Sequence, residues 1–139
     1  MTFTPILMER PSAANSVHAC LQAFPIACFS LTLVSDLAYM QTVNLLWLHF
    51  SEWLLLAGLV FGGFALLARL IDYFVRSVRP SWLAVMGGIV VLLLATLNSF
   101  VHTADGWTAV VPYGLALSIL TVIAMMATGW FARRGLLHI

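Results

Sequence analysis

The chain reads as four long apolar runs with short polar breaks between them. Apolar stretches of roughly 18 or more residues with few charges predict transmembrane helices. They fall at about Val17–Met40, Leu45–Tyr73, Trp82–Val101 and Thr108–Phe131. The expected architecture is an all-α integral membrane protein, a bundle of four transmembrane helices spanning 17–131. Residues 1–16 form a short N-terminal tail and 132–139 a C-terminal one. The first run is too long for the apolar core of a signal peptide and lacks a clear small-x-small cleavage site, so it reads as a retained helix.

Polar residues inside these runs are patterned. His18, Gln22, Pro25, Phe29, Thr32 and Asp36 are spaced 4, 3, 4, 3 and 4, which places them on one face of the first helix. Unpaired polar groups are costly in hydrocarbon, so that face turns away from lipid. It reads either as a seam of interhelical hydrogen bonds or as the lining of a cofactor or proton pathway. In the second run, His49 and Glu52 lie three apart and share a face. Counting back 20 residues from Arg69 puts His49 at the outer boundary, so Glu52 lies about one turn below the outer surface and is expected to be paired, solvated or protonated. Gly58 and Gly62, with Ala65 nearby, form a small-xxx-small surface suited to close helix approach.

Composition settles the class. Of 139 residues, 63% are hydrophobic, 8% are charged and none is lysine, whereas soluble domains carry about a quarter charged residues. The arginines settle the expected orientation. Arg10, Arg69, Arg76, Arg79, Arg133 and Arg134 all fall on one side of a four-span chain, and the loops at Gln41–Asn44 and Thr103–Trp107 hold none. By the positive-inside rule both termini are expected to be cytoplasmic. Cys20 and Cys28 are separated by about 12 Å of helical rise, too far to bridge.

The stretch "NSFVHTADGWTAVVPYGL" breaks the apolar pattern most sharply. Asn98 and His102 are an i, i+4 pair, Asp105-Gly106 a turn, and Trp107 an interfacial anchor. Pro112 stands near the start of the fourth helix, where its missing N–H costs least. Asp105, Gly106, Trp107 and Pro112 together read as an outward docking hairpin. His49 and His102 occupy similar depth on consecutive antiparallel helices, so they form a candidate axial pair for b-type haem. The competing reading makes both interfacial, with His102 engaged by Asn98, the Asp105 turn or a neighbouring subunit. His18 lies at the opposite end, roughly 30 Å away across the hydrocarbon core.

Several blocks carry a family resemblance. "LNSFVHTADGWTAVVPYGLALSILTV" followed by "ATGW", with "HFSEWLLLAGLVFGGFAL", "ARLIDY" and "HACLQAFPIACFSLTLVSD", resembles the DUF2231 family of small bacterial membrane proteins. The resemblance covers most of residues 18–130 and implies a four-helix inner-membrane protein without an assigned activity. It also implies a redox neighbourhood, since members are often encoded beside periplasmic sugar or aldehyde dehydrogenases. Family members often carry a histidine early in the third helix; here that region reads "SWLAVMGGIVV" and has none. The closing "FARRGLLHI" is shorter and richer in arginine than the family pattern.

The leading functional expectation is a non-catalytic inner-membrane subunit or anchor within a larger complex, linked to respiration or to a periplasmic dehydrogenase. Its partners are then the lipid bilayer and other membrane or periplasmic subunits, with no role for nucleic acid. No phosphate-binding glycine loop, nucleophile–base pair or CxxC metal framework is present in the sequence. The alternatives are a small b-type cytochrome or quinone-reactive electron-transfer subunit, and then an oligomeric transporter or proton channel.

Overall fold

The structure, a computed structural model, describes residues 13–76, 82–104 and 110–136. Four helices follow one another: α1 (Ala13–Thr42), α2 (Leu45–Arg76), α3 (Trp82–Thr103) and α4 (Leu115–Leu136), the last preceded by a wide turn over Val110–Gly114. All four are long and apolar enough to cross a membrane. The expected runs therefore appear as helices, with α1 starting a turn earlier and α2 ending three residues later. Each helix packs against its two neighbours in a closed ring, α1 on α2 and α4, and α3 on α2 and α4. This is the up-down-up-down bundle that short connections between antiparallel helices produce.

The ends of the elements follow local chemistry. Val43 takes a left-handed conformation, φ 51°, immediately after α1, and its N–H donates to the Tyr39 carbonyl at 2.8 Å. That single bond is the left-handed cap in which glycine is the usual occupant. Asn44 then caps α2, its Oδ1 accepting from the Leu46 N–H at 3.0 Å. Val111, held ahead of Pro112, is extended (φ −118°, ψ 116°) and breaks the helical path before α4. Pro112 thus stands in the turn that precedes the helix. The expected start of the fourth helix at Thr108 lies outside the described residues, as do Asp105, Gly106 and Trp107.

Inside the bilayer, backbone and hydroxyl groups must be satisfied within the protein. Four threonines solve this in the same way. The hydroxyls of Thr32, Thr96, Thr121 and Thr128 donate to the carbonyls of Cys28, Leu92, Leu117 and Ala124, each four residues back on the same helix. The exterior is correspondingly apolar: Trp53, Phe64, Phe74, Leu93, Phe100 and Met126 all face outward.

Glycines set the helix spacing. A Cβ on Gly58 would collide with the Phe29 ring, and one on Gly62 would lie 2.6 Å from Leu92 Cδ2. Pro25, inside α1, packs 3.6 Å from that same Gly62 position. The Gly58–Gly62 surface therefore receives α1 and α3 together.

The interior is layered. Nearest the α1–α2 turn, Tyr39, Leu48 and Val110 form one apolar layer. Phe29, Leu55, Val91 and Ala95 form a second, deeper one. Between them lies a layer that is almost wholly polar. Beyond the second layer, toward the end carrying Arg69 and Arg76, the bundle opens into a cavity.

Candidate functional site

Asp36 is the centre of the polar layer. It is fully buried, and a side chain from each of the other three helices reaches it. Ser51 of α2 donates its hydroxyl to Asp36 Oδ1 at 2.7 Å. His102 of α3 places Nε2 2.9 Å from the same oxygen. Ser118 of α4 donates to Oδ2. Behind this shell, Asn98 Nδ2 donates to Ser118 Oγ at 2.7 Å, and His102 Nδ1 lies 3.0 Å from the Asn98 backbone carbonyl. Ser51, Asn98, His102 and Ser118 are all buried.

The donor and acceptor inventory fixes most of the protons here. A carbonyl oxygen can only accept, so His102 Nδ1 carries a hydrogen and donates to Asn98 O. His102 Nε2 and Asp36 Oδ1 then share one proton between them. The pair is either imidazolium with carboxylate or neutral imidazole with carboxylic acid, and both serines donate to Asp36 in either state. Because Ser118 donates to Asp36, the amide of Asn98 must give its NH₂ to Ser118. Its Oδ1 is left buried with no partner among the described residues.

Gly114 completes the arrangement. A Cβ there would stand 2.9 Å from His102 Cε1 and 3.3 Å from Nδ1. The wide turn thus packs on the imidazole because residue 114 has no side chain. Apolar layers flank the site on both sides, and the side chains of Asp36 and His102 are both out of contact with solvent, where partners matter most.

The polar positions expected from sequence distribute over four places. Thr32, Asp36, Asn98 and His102 belong to this layer or border it, with Thr32 one turn below Asp36 on α1. Gln22 lines the cavity, together with Pro25 and Phe29 of the same face. His18 pairs with Asp72 of α2, Nε2 to Oδ2 at 2.8 Å, at the arginine-bearing end. His49 and Glu52 pair with each other, Nδ1 to Oε2 at 3.2 Å, and the His49 side chain is 62% exposed.

The structure does not bring His49 and His102 together as a ligand pair. His102 has both ring nitrogens engaged within the bundle, one on Asn98 O and one on Asp36, while His49 faces outward beside Glu52. An axial haem ligand needs a nitrogen lone pair turned to the iron, and this geometry supplies none at His102. No three His, Cys, Asp or Glu side chains gather as metal ligands among the described residues.

Ser51, Ser118 and Gly114 escape a reading that looks for ionisable residues, and Asp72 lies off the face of α1 on which the pattern of polar positions was sought. Two of them leave a trace. Ser51 and Ser118 are hydroxyls in otherwise apolar runs, at the helix depth of Asp36.

A sequence model of the DUF2231 family, described as predicted membrane proteins, matches residues 14–134, and the chain belongs to that family. No curated protein and no solved structure matches it.

Proposed function

We propose that the protein is a non-catalytic subunit or anchor of a larger membrane complex, with both termini cytoplasmic in the inner membrane of a bacterium. The observation that carries this reading is the inward use of its chemistry. Asp36 and its partners bond to one another between two apolar layers. The faces outside that knot are broad and apolar, suited to lipid and to other transmembrane helices. A buried polar knot of this kind specifies one arrangement of four helices, as polar core residues do in other bundles.

The shared proton of Asp36 and His102 supports a second reading, proton exchange, since ionisable groups inside membranes mark proton relays. The layers above and below the pair count against a path through a single bundle. The orientation rests on the arginines and is tested by reporters placed after Ile139 and near Ala104, which should report opposite sides with the first in the cytoplasm.

The subunit reading is tested by extracting tagged protein from its native membrane in mild detergent and resolving it on a native gel. Comigration with stoichiometric additional subunits is the expected result. Migration as a bare monomer or homo-oligomer from the same membranes would overturn it.

A further inference from the structure

The cavity at the arginine-bearing end has no part in the polar layer and is open to a different use. It measures about 460 Å³, within the roughly 300–1,000 Å³ of ligand pockets. All four helices line it, and its walls are apolar or small, with Phe29 and Val91 at the closed end. Two strong donors lie along it, the Gln22 amide and the Arg69 guanidinium. Arg69 is half-buried and has no acidic partner among the described residues. The acid nearest in sequence, Asp72, is three residues on and bonds to His18.

From these features we infer that the cavity holds one acyl chain of an anionic phospholipid, whose phosphate is bound by Arg69. Depth favours this occupant. Arg69 follows Leu45 by about 36 Å of helical rise, and the hydrocarbon core is about 30 Å thick, so the guanidinium stands at headgroup level. The closed end is marked by Phe29, which packs on Gly58, eleven residues or about 16 Å back from Arg69 along α2. That is about half the hydrocarbon thickness, the reach of a chain from one leaflet. Charge favours it too. A guanidinium pairs with phosphate through two parallel N–H bonds, and no acidic side chain among the described residues competes for Arg69.

Gly88 makes the inference testable without disturbing the fold. It lines the cavity, and a Cβ there meets nothing within 4 Å. Gly88→Leu therefore extends into the space and removes a helix-interior glycine at once.

The experiment is native mass spectrometry of the full chain in an uncharged detergent. The added probes are phosphatidylglycerol, phosphatidylcholine, a neutral isoprenoid quinone and glycerol 3-phosphate, each tested separately. Wild type should retain one phosphatidylglycerol in preference to phosphatidylcholine, and neither the quinone nor the chainless phosphate should be held. Arg69→Gln should lower phosphatidylglycerol retention about tenfold, as expected for a charge-assisted hydrogen bond, and erase the preference over phosphatidylcholine. Gly88→Leu should abolish one-to-one retention while its unfolding temperature stays at or above that of wild type. Equal retention by Gly88→Leu, no preference for the anionic lipid, quinone bound in its place, or binding of glycerol 3-phosphate as strong as that of the lipid would each overturn the assignment.

Discussion

Replacing Asp36 by alanine and by asparagine separates what the polar layer needs from what merely occupies it. Alanine removes the acceptor of Ser51 and Ser118 and the partner of His102 Nε2 in one step. Interhelical hydrogen bonds within membranes are worth about 0.6 kcal/mol on average, so three give about 2 kcal/mol. Breaking a buried ion pair by deleting one member costs about 3–5 kcal/mol, which sets the upper end. Asparagine behaves differently. Its NH₂ can donate to the lone pair of neutral His102, whose Nδ1 hydrogen is already committed to Asn98 O. Its carbonyl still accepts from Ser118, and Ser51 turns from donor to acceptor. The loss is one rearranged bond, about 1 kcal/mol. Unfolding in detergent, followed by tryptophan fluorescence and checked by gel filtration, should therefore rank wild type, Asp36→Asn and Asp36→Ala in that order. The double variant Asp36→Ala with His102→Ala should lose less than the two single losses added together, because they share the broken contact. Asp36→Ala as stable as Asp36→Asn would refute the argument, as would strict additivity with His102→Ala.

Three further outcomes follow from geometry elsewhere. Val43 is an exposed β-branched residue at φ 51°; left-handed backbone costs about 1–2 kcal/mol for residues bearing a Cβ, so Val43→Gly should raise the unfolding free energy by about 1 kcal/mol, and a decrease would show that the valine side chain is needed. Gly58→Ala drives a methyl into the Phe29 ring and should destabilise by about 1–3 kcal/mol, with Phe29→Leu in the same chain restoring part of the loss; a Gly58→Ala variant as stable as wild type would mean that α1 and α2 are not in this close register. His49 is mostly exposed and pairs with its helical neighbour Glu52, so His49→Ala should change stability by less than about 1 kcal/mol, while His102→Ala costs several times more; equal losses would remove the distinction between the two histidines.

The four helices were legible because a bilayer leaves few alternatives: apolar runs of this length must be helices that satisfy their own backbone. The inward face of α1 was legible for a related reason. Spacings of three and four residues put Gln22, Pro25, Phe29, Thr32 and Asp36 on one side, and lipid rejects polar groups. Depth alone misled on the histidines. His49 and His102 do lie toward the same end of the bundle, yet depth says nothing about rotation around a helix axis, and rotation turns one outward and the other to Asp36. The partners of Asp36 were hidden for a different reason. They are serines and a glycine, residue types whose default meaning in a membrane helix is close packing. Their role depends on which side chain another helix brings opposite them.

That dependence runs through the interior as a whole. Asn98 is placed by α3 alone, yet its backbone carbonyl fixes the Nδ1 hydrogen of His102, and its side-chain amide donates to the Ser118 hydroxyl that in turn donates to Asp36. Both contacts reach Asp36 through a neighbour, since Asn98 does not itself bond to it. Phe29 works comparably on the other side. It seals the polar layer as part of the apolar core, packs on Gly58, and closes the end of the arginine-lined cavity. A shift of α1 along α2 would therefore move the ring, the cavity floor and Asp36 together, since all lie on one face of one helix. One face of α1 thus contributes both to the cavity, through Gln22, Pro25 and Phe29, and to the proton-sharing pair, through Asp36.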